Sequence, residues 1–282
     1  MRRNRAAAEE TGMTVRSART ARPSRPSSLW AEAGVFVFDV EGTLVDAIMP
    51  TLLCWRDTLQ SFGHDVTLAD LHALSGMDGK RMLENLLPRV TIADRDEMAE
   101  RQGQRFRADY LTHVPAFPGV RGLFERLKAQ GRRIALATDC QRDQLEHYLA
   151  ITGIAPLLDA VACGSDGKAG KPAPDLVSLA LKRVRVGARS AVLVGDTPYD
   201  AQAAQKAGIR SIGVLTGHFP RSVLCEAGCD AVLHDVVRLG DAVEAAAVQP
   251  SRVPKVTRTA GHTGGRRPIH GDATRTSAIT GR

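Results

Sequence analysis

The apolar positions of the chain fall into two rhythms. Gly34-Val-Phe-Val-Phe-Asp39 is an unbroken run rich in β-branched and aromatic side chains, the pattern of a strand buried on both faces of a parallel sheet. Similar runs recur at Arg133–Thr138, Asp159–Cys163, Ala191–Gly195 and Arg210–Leu215, with a weaker one at Ala231–His234. Between them the pattern turns helical, over 119–130, 141–151, 174–185, 198–208 and 220–228. Strands alternating with helices of this length predict crossover units and a parallel α/β sheet.

One stretch breaks the alternation. Residues 46–115 carry no strand pattern. Ile48, Leu52, Trp55, Leu59 and Phe62 recur at helical spacing behind Asp46, the expected N-cap. Further helices are predicted near 67–74, 79–87 and 94–111, the last a charged segment read as a solvated outer face. Pro115–Pro118 then returns the chain to the sheet. An insertion after the first strand overhangs the carboxyl edge of the sheet, where ligands bind in open α/β folds, so it occupies the position of a lid.

Composition narrows the setting. With 282 residues, 43% of them apolar and 24% charged, the chain has material for one large or two modest globular domains and is neither a coiled coil nor a collagen. No apolar run approaches the ~18 residues that span a bilayer, so no membrane partner is expected. Five Cys at irregular spacing argue against a disulfide framework and for a reducing, cytoplasmic compartment. The formal net charge of +7 comes from the ends. Residues 1–33 hold seven Arg against three Glu, and residues 251–282 hold six Arg and one Lys against one Asp. The body between them holds 24 basic and 27 acidic side chains and is mildly acidic. The basic ends contain one aromatic residue, Trp30, so base-stacking recognition of nucleic acid is poorly supported and the ends read as solvated tails.

Four short motifs close successive predicted strands. In Phe38-Asp39-Val40-Glu41-Gly42-Thr43-Leu44, two carboxylates two residues apart lie in a tight loop where both can face one ligand. A carboxylate can attack phosphorus to give an aspartyl-phosphate, and a second can shuttle the proton of the leaving group. Ala137-Thr138-Asp139 offers a hydroxyl and backbone N–H groups to phosphoryl oxygens, and Gly170-Lys171-Pro172-Ala173-Pro174-Asp175 brings an ammonium. Gly195-Asp196-Thr197-Pro198-Tyr199-Asp200 places carboxylates at a strand-to-helix turn, suited to a hard divalent cation. Thr197 and Asp200, around Pro198, also have the spacing of a capping box.

These four motifs, in this order, resemble the haloacid dehalogenase-like superfamily, in particular its phosphatase branch with a helical cap after the first motif, the branch of the phosphoglycolate phosphatases. The resemblance covers 34–240. It implies a doubly wound, Rossmann-like α/β core (34–45 and 116–247), an all-helical cap (46–115) and disordered basic tails (1–33 and 248–282). It also implies a Mg²⁺-dependent phosphomonoesterase acting on a small phosphorylated metabolite. Asp39 then looks like the nucleophile and a metal ligand. Glu41 takes the general acid/base position, with its backbone carbonyl on the metal. Thr138 and Lys171 look like the phosphoryl-binding pair. Asp196 resembles the direct Mg²⁺ ligand, and Asp200 the carboxylate that orients metal-bound water or Lys171.

One position departs from the pattern: most family phosphatases carry Asp where this chain has Glu41. The extra methylene moves the carboxyl group by ~1.5 Å, about one C–C bond, and a misplacement of ~1 Å can cost about a hundredfold in rate. Glu41 is read as a working acid/base in a reshaped loop, as in the enolase-phosphatase relatives. The competing readings are a slower enzyme and a catalytically impaired binding module. A phosphosugar mutase, which shares all four motifs, is the other enzymatic alternative. In the cap, Ser75-Gly76-Met77-Asp78-Gly79-Lys80-Arg81 resembles the specificity loop of related caps. Gly76, Lys80 and Arg81 are its expected substrate contacts, and a solvated helix start is the alternative.

Overall fold

The computed structural model of the protein describes residues 26–248. The chain begins with α1 (Pro26–Glu32) and β1 (Val35–Phe38), then passes through α2 (Ile48–Ser61), α3 (Leu68–Ala73), α4 (Gly79–Leu86) and α5 (Ile92–Arg105). It continues with α6 (Val120–Ala129), β2 (Arg133–Ala137), α7 (Arg142–Thr152), β3 (Ala160–Ala162), α8 (Asp175–Val184) and β4 (Ala191–Gly195). The last elements are α9 (Pro198–Lys206), β5 (Arg210–Val214), α10 (Arg221–Glu226), β6 (Ala231–Leu233) and α11 (Val236–Val248). All strand pairs are parallel, in the order β3-β2-β1-β4-β5-β6. This is the predicted doubly wound α/β fold, with every expected strand in place.

The order reverses at β1: the chain builds outward to β2 and β3, then crosses back to place β4 on the other side of β1. Loops leaving β1 and β4 therefore diverge and open a crevice at the carboxyl edge of the sheet. Alternate residues of β1 serve opposite layers. Phe36 and Phe38 pack with α6, α7 and α11, Phe38 meeting Phe124 at a ring-centroid distance of 4.8 Å. Val35 and Val37 pack beneath α8 and α9. β1 is wholly buried, so its apolar run has no polar alternation.

The segment from α2 to α5 builds a core of its own around Leu52, Trp55, Leu59, Leu71, Met82 and Leu83. Asp46 does not cap α2 as expected; Ala47 precedes the helix and offers no side-chain cap. The chain is pinned there by something stronger: Asp46 N–H donates to the Pro115 carbonyl at 2.9 Å, Phe117 N–H donates to the Leu44 carbonyl at 3.0 Å, and Val45 bridges Ala116. The outgoing and returning strands of the insertion are thus stitched together. The charged helix ends at Arg105 rather than 111, passing into a π turn (Phe106–Tyr110) and a 3₁₀ turn (Leu111–His113) that swing Phe106 into the core. Hydrogen bonds and a ring stack join the insertion to loops and helices of the α/β core. His72 Nε2 lies 2.9 Å from the Gly217 carbonyl, and its ring stacks on Phe219. Tyr199 donates to the Ala73 carbonyl at 2.9 Å, and Asp78 N–H to the Lys171 carbonyl at 3.2 Å.

The folded body starts earlier than residue 34. Leu29, Trp30 and Ala33 are buried, α1 packs on α11, and Arg132 holds the segment by donating to the Ala33 and Ala31 carbonyls at 2.6 and 3.1 Å. Leu29, Trp30 and Ala33 therefore belong to the core and not to the basic tail. α11 was absent from the predicted helices, although Val236, Leu239 and Val243 bury one face at helical spacing. The remainder of the expected tails, 1–25 and 249–282, lies outside the described residues. Cys225, in α10, is exposed, and Cys229, beyond its end at Glu226, is half-buried. Among the described residues no helix is long and apolar enough to cross a membrane. Truncating Leu239, fully buried in α11, to Ala is expected to lower unfolding free energy by about 2–5 kcal/mol. Urea titration followed by circular dichroism measures this, and an unchanged midpoint would exclude α11 from the core.

Candidate active site

The first motif leaves β1 at Phe38 and turns at once. Asp39 N–H still bonds the Val194 carbonyl of β4 at 2.9 Å, and then Thr43, Leu44 and Val45 all direct their N–H groups to the Val40 carbonyl. Such a tight wrap needs Gly42 at φ +82°, a left-handed conformation natural to glycine. A Cβ there would also meet Asp196 Oδ2 at 2.2 Å. Asp196 follows β4 directly and is completely buried. Beyond it Thr197 and Asp200 form the expected capping box at the start of α9, with Pro198 in the first turn. Lys171 reaches the same place from the loop before α8, its N–H held by Asp139 Oδ1 at 3.1 Å.

The side chain of Lys171 is the hub. Its Nζ lies 2.5 Å from Asp39 Oδ1, 2.8 Å from Asp200 Oδ1 and 3.7 Å from Asp139 Oδ2. Burial opposes a charge on Lys171, but the Asp200, Asp39 and Asp139 carboxylates outweigh it and hold the ammonium well above its usual pKa. A single cation does not balance this many carboxylates. Burial pushes Asp39 up to about 7 and Asp139 up to about 6 despite Lys171. Burial, reinforced by the charges of Asp39 and Asp200, raises Asp196 well above the ordinary carboxylate range.

Asp39, Asp196 and Asp200 present carboxylate oxygens all within 4.8 Å of one another. Asp200 has both oxygens engaged, one by Lys171 and the other by Thr197 N–H and hydroxyl at 3.1 and 2.7 Å. Asp196 accepts from Thr43 Oγ1 at 2.9 Å through Oδ1, while its buried Oδ2 has no partner. Backbone closes around that oxygen: a Cβ on Gly217 would sit 2.0 Å from it. An orphaned buried carboxylate oxygen amid excess negative charge, with oxygen donors only, fits a hard divalent cation.

Glu41 lies in the same loop but not in the acidic trio. Its Oε1 accepts from the Tyr148 hydroxyl of α7 at 2.9 Å, and burial raises its pKa. Thr138 is buried at the end of β2, its hydroxyl 3.4 Å from both the N–H and the sulfur of Cys140. Asp39, Glu41, Thr138 and Lys171 line a cavity of roughly 280 Å³ whose other wall is the inserted segment. Gly76 and Lys80 line it as expected; Arg81 is not among the lining residues. Lys80 is tied to Asp96 at 2.7 Å, and Arg107, a lining residue absent from the sequence-based candidates, faces Asp143 at 3.4 Å.

Sequence reasoning missed three contributors. Asp139, which follows Thr138 in the second motif and has no role assigned to it there, lines the cavity and holds Lys171 through backbone and side chain. Thr43 fixes Asp196, a role hinted at by its place in the Glu-Gly-Thr turn. Tyr148 sits in mid-helix, and no local signal marks it.

Known proteins resemble this chain in sequence and fold. The haloacid dehalogenase-like hydrolase family matches residues 36–214. A phosphorylated carbohydrates phosphatase of Thermotoga maritima is 29% identical over 201 residues, covering 70% of this chain and 92% of that protein. A phosphoglycolate phosphatase of Aquifex aeolicus is 25% identical over 189 residues, covering 65% and 85% respectively. The crystal structure of a hydrolase from Pseudomonas syringae superposes with a TM-score of 0.70 at 24% identity, over 75% of this chain and 98% of that one, a likeness of fold. The match spans β1 through β5 and all four motif loops, and the chain belongs to the haloacid dehalogenase-like hydrolase family.

Proposed function

We propose that the protein is a Mg²⁺-dependent phosphomonoesterase acting on a phosphorylated sugar through an aspartyl-phosphate on Asp39. The chain is a phosphatase of its family; the finer reading rests on one observation. Lys171 Nζ is clamped between Asp39 and Asp200 while Asp196 Oδ2 beside them has no partner. Asp39 and Asp196, with the Glu41 backbone carbonyl, would hold Mg²⁺, and Asp200 would orient Lys171. When bound, the ion offsets charge repulsion between a carboxylate nucleophile and a phosphate dianion.

The chain's own groups supply the rest. Thr138 and Lys171 hold phosphoryl oxygens. The Asp39 carboxylate attacks phosphorus, the phosphorus–ester oxygen bond breaks, and the leaving alkoxide takes a proton from Glu41. Water then gives its proton back to Glu41 as it attacks phosphorus, and the acyl-phosphate P–O bond breaks to free phosphate and Asp39. The inserted helices cover the site and keep bulk water from the first step.

The cavity wall supports a sugar over glycolate. Its cap basic residues, Lys80 and Arg107, are each held by an acid, which leaves a second carboxylate on the substrate without a ready cation. Thr51, Gln102 and Gln144 suit hydroxyls, and Trp55 with Leu52 forms an apolar wall for the sugar ring. The five cysteines are free thiols, which supports a cytoplasmic setting.

Asp39→Asn is expected to abolish phosphate release from hexose phosphates, while wild-type enzyme favours these over phosphoglycolate at least tenfold in kcat/KM. Molybdate assay across both classes checks this, and ³¹P NMR showing an isomerised sugar phosphate instead of free phosphate would select the mutase. For the cation site, Mg²⁺ at about 100 times its Kd contributes about 2.7 kcal/mol and is expected to raise the Tm of chelator-treated protein by about 5–10 °C. Gly217→Ala, whose Cβ would fill the space at Asp196 Oδ2, is expected to lose that Mg²⁺-dependent rise. Differential scanning calorimetry reads it, and a full rise in the variant would move the cation elsewhere.

A further inference from the structure

Glu41 is one methylene longer than the residue this loop usually carries in the family, and the structure gives that extra length a destination. Its Oε1 is 2.9 Å from the hydroxyl of Tyr148, a side chain 1% exposed on α7. No other hydrogen bond to the Glu41 carboxylate is found among the described residues. The Tyr148 ring is locked in the main core, in one cluster with Val40, Phe106, Cys140 and Leu145, so the hydroxyl is a fixed point. An aspartate at 41 would retract its carboxyl by ~1.5 Å. Retraction along the bond would take the oxygen up to about 4.4 Å from the hydroxyl, beyond hydrogen-bond range.

We infer that Tyr148 is a positioning residue for the acid/base: its phenol anchors one carboxylate oxygen of Glu41 and leaves Oε2 to exchange protons at the reacting oxygens. A glutamate has three side-chain torsions and samples many rotamers unless held. With one oxygen pinned to a rigid ring, the longer carboxylate is as well defined as a shorter one. Glu41 and Tyr148 thus act as a matched pair: the phenol serves the longer carboxylate and not an aspartate in its place.

The inference rests on Glu41 being the acid/base, and the test separates the two claims. Wild type, Glu41→Asp, Tyr148→Phe and the double variant are compared for kcat and KM on one hexose phosphate at saturating Mg²⁺, with Tm for each. Tyr148→Phe keeps the ring and is expected to lower kcat ten- to a hundredfold, with KM within threefold and Tm within a few degrees of wild type. Glu41→Asp is expected to be slowed to a similar degree. In the Glu41→Asp background, Tyr148→Phe is expected to cost less than threefold, because the shorter side chain does not reach the hydroxyl. Equal losses in both backgrounds would show a merely structural tyrosine, and no loss in either would also overturn the pairing. Should Tyr148→Phe not fold, Glu41→Asp alone decides: a rate at or above wild type refutes the matched pair. Glu41→Gln serves as the separate control. Wild-type turnover there strikes down the acid/base role itself, whereas an inactive Glu41→Gln beside an indifferent Tyr148→Phe strikes down only the anchoring.

Discussion

A buried ammonium is tolerated only where carboxylates surround it, and the whole site is arranged around that requirement at Lys171. Its partners Asp39, Asp139 and Asp200 come from the ends of β1 and β2 and from the first turn of α9. They meet only if β1 lies between β2 and β4, as it does. Sheet order and site assembly are therefore one constraint. Displacing any of those strands would strand a charge in the interior. In return, the surplus of acid over base leaves Asp196 Oδ2 unsatisfied, which ties folding of the crevice to the chemistry it performs.

The sequence disclosed the sheet and the four loops because both are written locally. A buried parallel strand needs an apolar run, a tight loop needs Gly42, and a helix start needs Thr197 and Asp200. What stayed hidden depends on partners far along the chain. α1 is rich in Pro and Ser and reads as a tail until α11, some two hundred residues later, covers Leu29 and Trp30. Asp46 has the composition of a cap, yet the returning strand at Pro115 claims its backbone first. Lys80 and Arg81 are neighbours with the same charge, and helix phase alone decides that Lys80 meets the cavity. Tyr148 is invisible for the same reason: its role exists only where α7 passes the β1 loop.

The cavity is lined from two bodies of sequence. Asp39, Glu41, Thr138 and Lys171 reach the cavity from loops of the sheet, while Thr51, Trp55 and Gln102 come from the inserted helices. The backbone of Asp78 donates to the carbonyl of Lys171 itself, so the covering segment touches the buried lysine through main chain, indifferent to side-chain identity.

The stitching of Val45 to Ala116 and of Asp46 to Pro115 gives this division a wider meaning. Because exit and re-entry are fastened side by side, the backbone of the core is interrupted at one narrow neck, and the inserted helices meet the rest of the fold through surface contacts beyond it. Its helices can be lengthened, reshuffled or traded for others during evolution, and the reaction machinery below keeps its register. A lineage can thus acquire new substrates by remodelling one inserted segment without re-inventing phosphate cleavage.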